Sequence, residues 1–90
     1  MIVYHVVLSD TAKKDLKKID KHQAKLILAW LKKNIDDCEN PRLYGRPLRH
    51  DRKDEWRYRL GNYRILADID DSIVRVEVVN VGHRKNIYKK

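Results

Sequence analysis

The sequence predicts a small α+β domain in which a helical hairpin packs on one face of an antiparallel sheet. Two segments with helical spacing follow a short apolar strand near the N-terminus, and three segments with alternating apolar residues follow the helices. A chain of 90 residues has room for one hydrophobic core but not for a second. We therefore expect one domain over residues 1–90, with an N-terminal strand, a helical hairpin and an antiparallel three-strand meander.

The N-terminal half supplies the first strand and both helices. Residues 2–8 are apolar but too few to cross a bilayer, and they lack the basic flank and cleavage site of a signal peptide. Ser9 and the two residues after it offer N-cap oxygens to a first helix. The second helix is expected to end at Asn40-Pro41. Its core-facing stripe consists of Ala24, Ile27, Leu28, Leu31 and Ile35.

The hairpin at Gly61-Asn62 gathers three arginines on one face of the sheet. Glycine and asparagine between two alternating segments predict a two-residue turn, which places Arg59 directly opposite Arg64. Side chains alternate along a strand, so Arg57 shares their face. Directly opposed like charges destabilise a sheet, and a guanidinium fork holds phosphate bidentately, so the patch indicates an anion site. The other face receives Trp56, Tyr58, Leu60, Tyr63 and Ile65.

The rest of the C-terminal half contains turn signals that are less specific than Gly61-Asn62. Residues 42–54 are basic and interrupted by proline, and they are expected to form a loop. A second two-residue turn at Asp71-Ser72 would pair Asp68 with Arg75.

Positive charge is unevenly distributed along the chain. The net charge is +8; residues 1–41 contain eight lysines and no arginine, and all nine arginines lie between Arg42 and Arg84. Such a balance favours a polyanionic partner, nucleic acid above all. The arginines that precede the hairpin are expected only to keep their loop soluble; they are Arg42, Arg46, Arg49 and Arg52.

Cysteine and histidine usage argues against a disulfide or a metal centre. Cys38 is the single cysteine, and the four histidines have no spacing typical of zinc ligands. We expect a cytoplasmic protein with no membrane segment, no metal and no small-molecule cofactor.

A late glycine follows the last strand. Gly82 permits a sharp change of direction, which would return His83, Arg84 and Tyr88 towards the arginine patch.

Two motifs at this separation resemble the RelE/ParE superfamily of bacterial toxins, in particular its RelE-like branch. They are residues 56–65, WRYRLGNYRI, and residues 81–88, VGHRKNIY. The order of one strand, two helices and three strands resembles the same family over nearly the whole chain. The resemblance implies a toxin encoded beside an antitoxin. RelE-like members cut messenger RNA in the ribosomal A site, whereas ParE-like members poison DNA gyrase.

What the resemblance implies for chemistry is metal-free RNA cleavage, in which the ribose 2′-hydroxyl attacks the adjacent phosphate. By motif position the catalytic residues are Arg59, Arg64, His83, Arg84 and Tyr88. The RNA and phosphate ligands are Arg57, Arg59, Arg64, Arg84 and Lys85.

One departure from the family pattern concerns proton transfer. The best-known member has lysines before the hairpin turn, whereas Arg57 and Arg59 hold their protons too tightly to exchange them. Proton transfer then falls to His83, with an ordinary pKa near 6.5, or to Tyr88. His83 is equally well explained as a turn residue bonded to backbone, and Tyr88 as a ring that stacks on a base or packs on the sheet.

The predicted function is thus a ribosome-dependent endoribonuclease toxin, with messenger RNA, the ribosome and a cognate antitoxin as partners. The antitoxin would lay a helix or an extended segment over the exposed surfaces. Two alternatives remain: a ParE-like gyrase inhibitor with the same fold, and a noncatalytic RNA- or ribosome-binding module.

Overall fold

The structure, a computed structural model, describes residues 2–49 and 52–83. Two helices pack on a five-stranded sheet, which confirms the predicted α+β class. The strand order in the sheet is β1-β5-β4-β3-β2. In chain order the elements are β1 (His5–Leu8), α1 (Asp10–Lys18), α2 (Lys21–Asn34), β2 (Arg46–Arg49), β3 (Arg52–Leu60), β4 (Tyr63–Asp70) and β5 (Arg75–His83).

Side-chain caps begin both helices. The hydroxyl of Ser9 accepts a hydrogen bond from the N–H of Ala12 at 3.0 Å, so α1 starts where the sequence predicts. Asp20 accepts from the N–H of Gln23 at 3.3 Å and begins α2. No helix within the described ranges is both long enough and apolar enough to span a membrane.

The second helix is shorter than predicted. α2 ends at Asn34, well before Asn40-Pro41, and the chain then turns through Asp37 at a φ of +62°. Asp36 accepts a hydrogen bond from the N–H of Val6 at 3.0 Å, which ties this turn to β1. Aspartates favour such turns because their short carboxylates bond to nearby backbone.

Most of the predicted stripe of α2 faces the core. Ile27, Leu31 and Ile35 are buried, whereas Leu28 is 40% exposed and lies outside the core. From the sheet, this core receives Trp56, Tyr58, Ile65, Ala67, Ile69, Val76, Val78 and Val81. Because both helices cover that side, the opposite side of the sheet, called here the open face, is left to polar residues.

The sheet is mixed, not antiparallel throughout. β1 runs parallel to β5, with His5 opposite Arg75 and Leu8 opposite Val78. Parallel neighbours need a long crossover, and everything between β1 and β5 provides it. Local turn patterns cannot reveal a pairing between strands so far apart in sequence.

The predicted basic loop contains an additional strand. Arg46–Arg49 forms β2, pairs antiparallel with β3 and lies at the edge of the sheet. Pro47 lacks a backbone N–H, which is tolerated at an edge, and the register shifts between Pro47 and Arg49. A four-residue strand with an internal proline has no clear alternation, so the sequence did not reveal it.

The second hairpin also differs from the prediction. Residues 71–74 make the turn, so Asp68 lies opposite Glu77 and not opposite Arg75. The carboxylate of Asp70 accepts from both the N–H and the hydroxyl of Ser72, at 3.0 and 2.6 Å, and stabilises this longer turn. The register between β4 and β5 also shifts between Leu66 and Ala67. This shift changes which residues of the two strands lie opposite each other towards the end of β5.

Candidate anion-binding site

The hairpin between β3 and β4 has the register that the sequence predicts. Leu60 lies opposite Tyr63, and Arg59 lies opposite Arg64. Gly61 has a φ of +60°, and Asn62 is not among the residues with positive φ, as a type II′ turn requires. Alternation from this turn therefore brings Arg57, Arg59 and Arg64 to the open face.

The three arginines line a common cavity of about 360 Å³, called here the arginine cleft. Among the described residues, Gly45 and Arg46 also line it, so four arginines border one space. Arginine side chains that share one cleft repel one another unless an anion lies between them. The cleft therefore has the charge of a phosphate site.

Arg64 is the most unusual member of the cleft. The residue is only 8% exposed, and its Nε and Nη1 atoms are shielded from solvent with no hydrogen-bond acceptor among the described residues. Buried guanidinium donors that lack an acceptor are costly, and they persist where a ligand can satisfy them. Gly82 lies opposite Arg64 on β5, so no side chain from that strand fills the space beside it on the open face.

Arg46 is a cleft residue that sequence reasoning missed. It lies opposite Arg57 in the pairing of β2 with β3, and both line the cleft. Arg46 was expected to lie in a loop and only to keep that loop soluble. This expectation is wrong, because Arg46 lies in β2 and lines the cleft. Its position becomes predictable only once β2 is recognised as a strand in this register.

Carboxylates occupy the neighbouring part of the open face. Glu55, Asp68 and Glu77 lie side by side on β3, β4 and β5, forming what is called here the acidic row. Desolvation, and then the charges of Glu55 and Glu77, raise the pKa of Asp68 above its ordinary value. The acidic row lies two residues along the strands from Arg57, roughly 7 Å away. The open face is therefore divided into a cationic end and an anionic end.

His83 does not join the arginines. β5 continues through His83, which pairs with Tyr63 on the face that the helices cover. The two rings meet edge to face with their centroids 5.6 Å apart. The expected turn at Gly82 that returns His83 to the patch is thus absent, because the register shift in β5 places His83 on the opposite face from Arg64.

Three predicted site residues lie outside the described part of the chain. They are Arg84, Lys85 and Tyr88.

One group within residues 2–49 and 52–83 has the geometry of a metal site. His5, Asp36 and Asp37 offer ligand atoms within 4.8 Å of one another. The Nδ1 atom of His5 lies 3.4 Å from the Asp37 carboxylate, and both side chains are mostly exposed. This group lies beside β1, at the opposite edge of the sheet from β2, so it takes no part in the arginine cleft.

Comparison with known proteins gives a consistent result. Residues 6–88 match the family model described as the ParE toxin of the type II toxin-antitoxin system, parDE. The toxin RelE of Mycobacterium tuberculosis is 31% identical over 86 residues, which cover 96% of this chain and 87% of the relative. The toxin RelG of the same organism is 32% identical over 88 residues, covering 97% and 98%.

A solved structure shares the fold. A chain in the crystal structure of the toxin–antitoxin complex RelBE2 from Mycobacterium tuberculosis superimposes with a TM-score of 0.79 at 29% identity. The match covers 92% of this chain and 100% of the solved chain.

Proposed function

This chain belongs to the ParE toxin family of type II toxin–antitoxin systems, and we propose that within this family it is a ribosome-dependent endoribonuclease of the RelE kind. Its proposed substrate is messenger RNA in the ribosomal A site. The observation that carries the proposal is Arg64, whose buried Nε and Nη1 donors have no acceptor among the described residues and which lines a cleft together with three further arginines.

The proposed reaction needs no metal. The ribose 2′-oxygen attacks the adjacent phosphorus, a bond forms between them, and the bond from phosphorus to the 5′-oxygen breaks. Negative charge gathers on the phosphoryl oxygens in the transition state, where fixed guanidinium donors in a partly dry site stabilise it strongly. Arg59 and Arg64 would hold those oxygens, while Arg57 and Arg46 bind the flanking backbone.

Two protons must also move during the reaction. One leaves the 2′-hydroxyl and one reaches the 5′-oxygen, and arginine can supply neither step at neutral pH. His83 and Tyr88 of the sequence motif are the candidates for these two proton transfers. The contact of His83 with Tyr63 on the helix-covered face counts against His83 and makes Tyr88 the preferred candidate. Arg84 and Lys85 would add phosphate contacts.

An antitoxin is the second proposed partner. The related fold in the RelBE2 structure comes from a toxin–antitoxin complex, and we propose that a cognate antitoxin likewise binds this chain. The proposed compartment is the cytoplasm, where ribosomes and messenger RNA are present.

A gyrase inhibitor is the alternative that one finding favours, because the matching family model carries the ParE description. In that case the cleft would bind DNA or an acidic segment of gyrase and would stabilise no transition state. The cleft would suit a DNA phosphate as well as an RNA phosphate, because the two carry the same charge and the same oxygens. A noncatalytic RNA- or ribosome-binding module would use the same cleft without cleavage.

Brief expression in bacterial cells separates these functions. Primer extension on messenger RNA should reveal new 5′ ends within reading frames, and plasmid DNA should remain intact. Arg64→Ala should abolish these ends, whereas Arg75→Ala, which changes an arginine opposite Asp70 at the far end of the open face, should preserve them. Cleaved plasmid with intact transcripts would establish the gyrase alternative, and transcripts that are bound but uncut would establish the noncatalytic one.

A further inference from the structure

Two side chains of β3 form hydrogen bonds to the segment that leads into β2. This approach loop, residues 40–45, runs along the helix-covered side of the sheet. The buried hydroxyl of Tyr58 donates a hydrogen bond to the carbonyl of Pro41 at 2.6 Å. The indole N–H of Trp56 donates to the carbonyl of Tyr44, also at 2.6 Å. Two residues of β3 thus hold the loop with one face of the strand, while Arg57 and Arg59 line the cleft with the other.

Gly45 brings the loop into direct contact with the strand. Its φ is +77°, and a Cβ atom at this position would overlap the carbonyl oxygen of Arg57 and would lie 2.9 Å from Nε1 of Trp56. Such a contact leaves no room for a side chain. The next residue is Arg46, which enters the cleft opposite Arg57. The hydrogen bond to Tyr44 therefore fixes the backbone two residues before a cleft guanidinium.

An ion pair holds the other end of the approach loop. Arg42 makes two hydrogen bonds to the carboxylate of Asp71, at 3.0 and 3.1 Å, and Tyr4 donates to the same carboxylate. The guanidinium of Arg42 also lies 5.9 Å from the centroid of the Trp56 ring. Arg42 was expected only to keep a loop soluble, yet it joins the loop to the turn between β4 and β5.

Among the described residues, the pairing with β3 is the main contact that positions β2 itself. It is four residues long, exposed along its whole length, and its register shifts after Pro47. An edge strand of this kind is marginal alone. Arg46 also has a long and flexible side chain, so its place in the cleft depends on where its backbone begins.

We infer that Trp56 is a positioning residue for the arginine cleft: its indole N–H, by holding the carbonyl of Tyr44, sets Arg46 opposite Arg57 so that both contact the same RNA backbone. The inference rests on the proposed function, because it takes the bound anion to be an RNA phosphate. The competing explanation is that Trp56 is a core residue, since it is only 8% exposed, and that its hydrogen bond merely stabilises the fold.

Trp56→Phe distinguishes the two explanations because it keeps an aromatic ring and removes the donor. The probe is a short, unstructured single-stranded RNA, whose affinity is measured over a series of salt concentrations. We expect Trp56→Phe and Arg46→Ala each to weaken binding about tenfold. Each should also reduce the salt slope by about 0.7, the loss of one phosphate contact on a single strand.

The double variant gives the sharpest readout. If Trp56 acts through Arg46, Trp56→Phe should have no further effect on affinity in an Arg46→Ala background, to within about a factor of two. Hydrogen exchange of the β2 amides should accelerate in Trp56→Phe, while the amides of β4 remain as protected as in the wild type. Ile69→Val, a buried change beneath the acidic end of the sheet, is the matched control for lost stability and should alter neither affinity nor salt slope.

Wild-type binding that Trp56→Phe leaves unchanged would overturn the inference and leave the proposed function intact. Additive losses in the double variant would also overturn it, because they would show that Trp56 acts independently of Arg46. Failure of the wild type itself to bind RNA would refute the proposed function, and the inference with it.

Discussion

Arg59 and Arg64 lie directly opposite each other across the hairpin of β3 and β4, on the face of the sheet that the helices leave open. Like charges in this relationship destabilise a sheet, and the burial of Arg64 adds to the cost, because its Nε and Nη1 atoms find no acceptor within residues 2–49 and 52–83. A bound anion would offset both costs, so the cleft of the free protein has the geometry of an anion site.

Replacement of Arg64 by methionine should separate stability from function. Methionine keeps much of the length of the side chain and removes the buried charge, so we expect the free energy of unfolding to rise by about 1 kcal/mol. RNA cleavage should be lost. Urea unfolding together with a cleavage assay would check both expectations.

Arg59→Met is the matched control for that experiment. Arg59 is exposed, so its removal relieves repulsion but recovers no buried donor, and the gain in unfolding free energy should be smaller than for Arg64→Met. An equal or larger gain would show that burial of the Arg64 guanidinium carries no cost.

The acidic row predicts a pH-dependent effect on stability. The pKa of Asp68 is raised in the folded protein above its ordinary value of 3.8, so its ionised form is disfavoured by folding. Its contribution to stability is complete below pH 3.8 and is lost as the pH rises through the folded pKa. Asp68→Asn should therefore raise the unfolding free energy at neutral pH by roughly 0.2–1 kcal/mol. Because Asp68 is exposed to solvent, we expect a value near the lower end of this range.

The gain from Asp68→Asn should shrink as the pH falls and vanish below the ordinary aspartate range. Thermal unfolding from pH 3 to pH 8 would measure it. Asp10→Asn is the comparison, because Asp10 lies in the first turn of α1, where a carboxylate is favourable, and its loss should lower stability at neutral pH. A gain for Asp68→Asn that did not change with pH would contradict this explanation.

The two glycines with positive φ should differ sharply when replaced by alanine. Gly61 has open space around its Cβ direction, so Gly61→Ala should cost only the conformational strain, about 1–2 kcal/mol. Gly45→Ala adds a clash with the backbone of β3, so it should cost more and should also weaken RNA binding through displacement of β2. Urea unfolding of both variants, with the RNA affinity of each, tests this order; equal costs would mean that β2 does not approach β3 as described.

The first hairpin was predictable because local chemistry specifies it. Gly61-Asn62 demands a particular turn, alternation runs unbroken on both sides of it, and a slip by one residue would move Arg64 into the core. The registry of Arg59 with Arg64 follows from these facts alone. The helix start at Ser9 was predictable for a similar reason, since its N-cap acts within three residues.

What the sequence did not reveal depends on contacts between distant residues. The parallel pairing of β1 with β5 joins strands at opposite ends of the chain. The strand β2 exists because β3 offers it an edge, and Arg46 becomes a cleft residue only through that pairing. His83 lies on the helix-covered face because the register between β4 and β5 shifts, and no turn residue in the sequence indicates this shift.

The most direct test of the account is single-turnover cleavage of messenger RNA on purified ribosomes, with saturating toxin. We expect Arg64→Ala to cleave at least about 100-fold more slowly than wild type, as loss of a donor to the transition state implies. Arg75→Ala should cleave at the wild-type rate, and both variants should bind antitoxin normally. If Arg64→Ala cleaved as fast as the wild type, the arginine cleft would not be the site that holds the reacting phosphate.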